Sequence, residues 1–159
     1  MPIKLPDRIS AVASYIEMGA SVADIGTDHG FLPVYLAQLA SARRIIASDI
    51  SAGSLAAARR NAEKYGVTEK ITFITAPGLK GVDEESVDTV VITGMGGETI
   101  AGILEEAPWV SRPGVRLIAQ PQTKAVFLCV WLCENGFIIR DSQIVRDRGR
   151  KYIIFMCQR

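Results

Sequence analysis

Two hydrophobic periods alternate along this chain. Short apolar runs such as Ser21-Val22-Ala23 with Ile25, Ile45-Ile46-Ala47 and Val90-Val91-Ile92 have the length and β-branched content of buried strands. Between them, apolar positions recur at helical spacing. Residues 7–18 read as a helix, capped by Asp7 and striped by Ile9, Val12, Ala13 and Ile16. Strands are predicted over 21–25, 44–48, 70–75, 87–92 and 115–119, and helices over 31–41, 52–65, 97–107 and 123–135. Such alternation demands parallel strands with helices on both faces, an α/β fold of the Rossmann-like kind. The last two runs, 136–145 and 152–156, have no helix between them and predict an antiparallel hairpin turning at Arg148-Gly149. No repeat, low-complexity tract or linker interrupts 1–159, so a single domain is expected.

The first strand ends in Asp24-Ile25-Gly26-Thr27-Asp28-His29-Gly30, followed by a helix pattern from Phe31. A strand that turns on glycine into a helix lets a nucleotide-like ligand approach the backbone, and the helix start leaves N–H groups unpaired. Many α/β proteins carry such a turn, so it is not specific alone. A dinucleotide fingerprint spaces its glycines G-x-G-x-x-G, whereas Thr27, Asp28 and His29 separate Gly26 from Gly30. Asp24 and Asp28 would repel a pyrophosphate and attract a cationic sulfonium with an amine, as in S-adenosylmethionine. A nicotinamide dehydrogenase is therefore disfavoured. Asp49 ends the second strand 23 residues after Gly26, near the roughly 20 at which an acid reaches ribose hydroxyls in such folds. It is equally placed to cap the helix that starts near Ser51.

Asp24-Ile25-Gly26-Thr27-Asp28-His29-Gly30, Ser48-Asp49-Ile50-Ser51, Gly94-Met95-Gly96-Gly97 and Gln120-Pro121 follow in this order. Together they resemble the bacterial tRNA (adenine(22)-N1)-methyltransferase family, a branch of the class I S-adenosylmethionine-dependent methyltransferases, across nearly the whole chain. The resemblance implies a seven-stranded, mostly parallel sheet with an antiparallel C-terminal hairpin. It also implies S-adenosylmethionine as cofactor and tRNA as partner. Asp24, Gly26, Thr27, Gly30, Asp49, Ile50, Gly94 and Met95 are then expected around the cofactor, with Pro77, Gly78 and Leu79 at its adenine.

Pro77 departs from the family, which usually carries Asp or Asn there, and it leaves adenine recognition to backbone groups. Gln122 likewise replaces an Asn after Gln120-Pro121. Gln120, Gln122, His29, Gly96 and Gly97 are expected on the substrate side. The Asn/Asp-Pro-Pro-aromatic segment of many amino-methylating enzymes is missing after the fourth strand. Thr93-Gly94-Met95-Gly96-Gly97 offers instead a bare backbone to a planar base, or simply a flexible loop before a helix. Methylation of adenine N1 needs alignment more than covalent help, because the ring nitrogen brings its own lone pair. Asp28 is the candidate for stabilising or deprotonating the cationic product, and a turn-forming role competes with it. His29, the only histidine, either orients Asp28, meets substrate or shapes the loop. Phe31, Tyr35 and Trp109 are candidates for stacking on an extracted base, and equally for the core. The family continues into a C-terminal helical extension that helps grip tRNA, whereas this sequence stops at Arg159. A weakened RNA grip is one expectation, and a cofactor-binding module with little activity, or another methyl acceptor, is the alternative.

Composition changes this picture little. A net charge of +1 means that any nucleic-acid partner must meet a local patch. Arg140, Arg146, Arg148, Arg150, Lys151 and Arg159 supply one, or else guard an edge strand against aggregation. Three cysteines argue against a disulfide scaffold. Cys129 and Cys133 read as small buried thiols, and no metal site is expected. The start lacks the apolar core of a signal peptide, and no run of apolar residues is long enough to span a membrane. A cytoplasmic protein, monomeric or weakly dimeric, is the expectation.

Overall fold

Ala20–Ile25 (β1) is buried at all six residues, which requires a strand at the centre of a sheet covered on both faces. In the computed structural model, which describes residues 1–159, the other strands are Ala42–Asp49 (β2), Thr72–Thr75 (β3), Thr89–Met95 (β4), Arg116–Pro121 (β5), Ile139–Asp147 (β6) and Arg150–Gln158 (β7). They form one seven-stranded sheet in the order β3-β2-β1-β4-β5-β7-β6. Neighbours among β1 to β5 run parallel, and β7 is antiparallel to both β5 and β6. The helices are Asp7–Ala13 (α1), Phe31–Leu39 (α2), Ala52–Lys64 (α3), Gly97–Glu105 (α4) and Ala125–Glu134 (α5).

Strand alternation sorts side chains into two cores. Val22 of β1, Val91 of β4 and Ile154 of β7 join Val12, Leu32, Leu36 and Ala62 of α1 to α3 on one face. Ala23 and Ile25, Val90 and Ile92, and Phe155 face the other way, against Ile100, Leu104, Leu128 and Leu132 of α4 and α5. A one-residue slip in any of these strands would exchange the two sets, so register is fixed by burial.

Several boundaries differ from the pattern-based reading. The first helix stops at Ala13 instead of 18, because Tyr15 and Ile16 donate to the carbonyls three residues back (3.1 and 3.0 Å) and the chain turns towards β1. Its tail is then used by long-range contacts: the Tyr15 hydroxyl donates to Asp141 (3.0 Å), and Arg116 Nη1 donates to the Tyr15 carbonyl (2.7 Å). Residues 68–70 form one 3₁₀ turn before β3. β4 runs on to Met95 through a bulge at Gly94, whose φ is +75°. The last helix starts at Ala125, after Lys124 at φ +58°. The hairpin runs two residues closer to its turn on each strand, while β6 starts at Ile139 instead of 136 and β7 continues to Gln158, and Arg148 and Gly149 take φ of +52° and +77°. Two positive φ values match the twist of the flanking strands in a two-residue connection.

The reading of Cys129 and Cys133 as buried thiols is corrected. Cys157 is buried, Cys129 half-buried and Cys133 exposed, since the α5 face that meets the sheet is carried by Leu128 and Leu132. Burial pushes the Cys157 thiol up to about 12. No helix is long and apolar enough to cross a membrane. Because Leu128 is fully buried and Val126 is 78% exposed on the same helix, Leu128→Ala should destabilise by about 2–5 kcal/mol. Val126→Ala should change stability by less than about 0.5 kcal/mol in urea unfolding.

Candidate active site

β1 and β4 are neighbours, but the chain leaves β1 towards α2 on one face and β4 towards α4 on the other. A crevice opens at the carboxyl ends of strands where such connections diverge. Here it is a 680 Å³ cleft, and its lining includes Asp24 and the turn Gly26 to His29 after β1, Asp49 of β2, and Thr93 to Met95 of β4. The turn after β1 is built by its neighbour. The N–H groups of Gly26 and Thr27 both donate to the Ser48 carbonyl (2.9 and 3.0 Å). The Thr27 hydroxyl donates to Asp24 (2.8 Å), and the Asp28 N–H donates to Asp49 Oδ2 (3.0 Å). Gly26, Asp28 and Gly30 all take left-handed φ, +73°, +54° and +72°. Gly30 has a second reason to be glycine: a Cβ there would lie 2.8 Å from the Ala58 Cβ of α3. It packs a helix and does not line the cleft.

Asp49 combines the two roles read for it. Its Oδ1 accepts from the Ser51 N–H (2.9 Å) and its Oδ2 from Asp28, while Ser51 caps α3 through Ser54 (3.2 Å). A carboxylate has about four acceptor positions, so capacity remains for ribose hydroxyls. The Asp28 and His29 side chains are exposed, with His29 Nε2 3.9 Å from Asp28 Oδ1. His29 also lies against Phe31, ring centroids 5.7 Å apart. Of the three aromatics considered for stacking, Phe31 alone lines this cleft; Tyr35 packs into the core and Trp109 borders a second groove.

The glycine-rich loop is pinned rather than free. Gly94 N–H donates to Gln120 Oε1 (3.3 Å), Gln122 N–H to the Met95 carbonyl (2.7 Å), and Gly97 N–H to the Thr123 carbonyl (2.8 Å). Gly94 faces open space, whereas a Cβ on Gly97 would collide with the Lys124 carbonyl. Gly97 is therefore a packing glycine at the start of α4, and neither it nor Gly96 lines the cleft. Gln120 departs from the expected substrate side in the same way. It is fully buried, accepting from Arg8 Nη1 (2.7 Å) and donating to the Pro121 carbonyl (2.8 Å). Gln122 is the member of that segment that reaches the cleft. Ile50 is 71% exposed outside the cleft lining, and Pro77, Gly78 and Leu79 border the second groove.

Periodicity and motif missed the far wall, made by Arg8 and Ile9 of α1 and by Asp147, Arg148 and Tyr152 of the hairpin. Nothing local in the sequence brings these residues together; they meet through the antiparallel return of β7 to β5. Asp24, Asp28 and Asp49 thus line the cleft at the ends of β1 and β2, with Asp28 exposed at its mouth, while Arg8 and Arg148 line it from α1 and the hairpin, where Asp147 adds a fourth carboxylate. The acceptors beside β1 and β2 suit a ligand carrying an ammonium, a sulfonium and a diol, and oppose a pyrophosphate.

The whole-chain comparisons agree. Residues 5–155 match the family described as Methyltransferase domain. The chain is 35% identical over 156 residues to the tRNA (adenine(22)-N(1))-methyltransferase of Bacillus subtilis, covering 98% of this chain and 66% of that protein. This chain belongs to the methyltransferase-domain family. Within it, the chain groups with the tRNA (adenine(22)-N1)-methyltransferases. Sp1610 of Streptococcus pneumoniae, solved with S-adenosyl-L-methionine, superposes with a TM-score of 0.91 at 35% identity, over 98% of this chain and 73% of that one. TrmK of M. capricolum, solved with S-adenosyl-homocysteine, gives 0.85 at 30% identity, over 97% and 68%. The methyltransferase described here thus spans about two thirds of the length of the B. subtilis relative.

Within this methyltransferase, Asp24 is the electrostatically unusual group. Burial pushes its carboxyl up to about 7; the Thr27 hydroxyl pulls it down, and the Asp49 charge pushes it up again. A carboxyl with a raised folded pKa holds its proton more tightly folded than unfolded. Its stabilising contribution is therefore complete below the unfolded value and is lost as pH rises through the folded one. Thermal unfolding of the ligand-free protein should show a component of stability lost between about pH 4 and about pH 7. Asp24→Asn should lack that component; an identical pH profile in the variant would contradict the assignment.

Proposed function

We propose that this chain transfers the methyl group of S-adenosylmethionine to N1 of an adenine in tRNA, at position 22 by its likeness to the B. subtilis enzyme. The observation that carries this reading is the acid-lined cleft at the β1–β4 divergence, where Asp24, Asp28 and Asp49 meet. Asp49 takes the ribose hydroxyls, and Asp24 with the Gly26–Thr27 backbone takes the methionine end. The adenine end follows the carboxyl edges of β2 and β3, where the Ala76 N–H donates to the Asp49 carbonyl (3.1 Å). Ile50 and the backbone of 77–79 flank that edge, and Pro77 adds no polar side chain.

S-adenosylmethionine, when bound, supplies an electrophilic methyl on a sulfonium. The protein's part is to align the acceptor and manage charge. Gly94, with φ +75° and no Cβ, lets a planar base approach the end of β4. Gln122 is at hand for the base edge. Asp28, exposed at the mouth and held in the left-handed region, faces the positive charge that the adenine acquires and accepts its amino proton. His29 beside it orients that carboxylate.

The direct test is methyl transfer from labelled S-adenosylmethionine to unmodified tRNA transcripts, with nucleoside mass spectrometry to locate N1-methyladenine. Asp28→Asn keeps a side chain that tolerates left-handed φ, so it should bind cofactor normally in calorimetry yet lose about 10²-fold or more in turnover. Full turnover would remove Asp28 from the mechanism. Asp49→Ala should weaken cofactor binding by about 1–3 kcal/mol, and unchanged affinity would refute the ribose assignment.

A further inference from the structure

The strongest unassigned feature is the tip of the β6–β7 hairpin. Residues 146–151 contain Arg146, Arg148, Arg150 and Lys151 with a single acid, Asp147, so this turn is more positive than the whole chain, whose net charge is +1. All four cations are exposed, and none lies within 4.0 Å of a carboxylate. Protection of an exposed sheet edge explains Arg140 and Arg146, which lie on the edge strand β6. Arg150 and Lys151 lie where β7 pairs with β6 alone, since its pairing with β5 covers only residues 155–158, so they too flank an open edge. Edge protection does not explain Arg148, a non-glycine residue in the turn itself, held at φ +52° where Asn or Gly is the usual occupant.

The tip is also fixed at the mouth of the cleft. Asp147, Arg148 and Tyr152 line it together with Asp24, Asp28 and Asp49. Arg8 of α1 anchors the tip: its Nε is 3.8 Å from Asp147, and its guanidinium lies 5.7 Å from the centroid of the Tyr152 ring. The same guanidinium bonds Gln120, whose amide oxygen accepts from Gly94 in the loop at the end of β4. One arginine thus sets the distance between the basic tip and the place where the acceptor base would lie. A cleft with an acidic interior and a basic rim fits a cationic donor inside and a polyanionic acceptor outside.

We propose that the β6–β7 turn is a phosphate clamp for the acceptor RNA, holding the backbone beside the target adenine through Arg146, Arg148, Arg150 and Lys151. This assignment rests on tRNA being the methyl acceptor. Each phosphate neutralised releases counterions, so the clamp must show itself in the salt dependence of binding as well as in affinity.

The test is binding of an unmodified tRNA transcript by the full chain across a salt series, with S-adenosylmethionine calorimetry on the same samples. The variant carries Arg146→Ser, Arg148→Asn, Arg150→Ser and Lys151→Ser, which respect the strand and turn conformations. It should bind tRNA at least about tenfold more weakly at low salt, with a log–log salt slope shallower by roughly 3, at about 0.7 per lost phosphate contact. It should keep the wild-type circular dichroism spectrum and still bind cofactor, which report that it is folded. Lys151→Ser alone should weaken binding while Arg44→Ser, at the amino end of β2, should not; equal losses from the two would overturn a localised clamp. An unchanged affinity and slope in the fourfold variant, with wild type methylating the transcript, would overturn the clamp and leave the function standing. A wild-type chain that binds cofactor but neither binds nor methylates any transcript would overturn the acceptor assignment and the clamp with it.

Discussion

The Asp49 carboxylate and the Ser48 carbonyl hold the turn after β1 in place, and the site depends on that connection. Three residues of that turn take left-handed φ, one of them an aspartate. The neighbouring strand supplies the compensation: Ser48 accepts from two successive N–H groups, and Asp49 accepts from the N–H of Asp28 itself. Parallel pairing of β1 with β2 places Ser48 opposite Ile25, so the sheet register delivers these acceptors. Without that register neither the turn nor its display of Asp28 and His29 would persist.

Electrostatics divides the cleft into two regions. Three carboxylates gather where β1 and β2 end, and the most buried of them, Asp24, is raised to about 7 by loss of solvent. That crowding is tolerable because the interior carboxyl can hold a proton until a cation replaces it. The basic side chains stand across the opening on α1 and the hairpin. Separation of the two signs over one cavity suits a reaction in which a cationic methyl donor meets a polyanionic acceptor.

The loop at the end of β4 is pinned by hydrogen bonds, as the turn after β1 is. It is fastened to residues 120–123 by one side-chain and two backbone hydrogen bonds, and Arg8 reaches the same point from α1. Gln120 therefore works from behind the wall. Its amide joins Arg8, Gly94 and Pro121, and Arg8 extends that chain of contacts to Asp147 at the tip of the hairpin. The loop at the end of β4 is in this way mechanically coupled to the tip of the hairpin.

Local chemistry along the chain was sufficient to specify the alternation of strands and helices, the parallel sheet, the closing hairpin and the acidic turn. Those features follow from side-chain periodicity, from the conformational freedom of Gly26 and from the charge of neighbouring aspartates, all of which act over a few residues. Tertiary structure alone decided that Gly30 and Gly97 serve helix packing, that Gln120 is buried, and that Ile50 and Pro77 to Leu79 lie beyond the main cleft. It alone brought Arg8 against Asp147 and Tyr152, 139 and 144 positions away. Such contacts depend on how a bulge at Gly94 and the antiparallel return of β7 set distances across the sheet, and no periodic signal in the chain encodes a distance between its two ends.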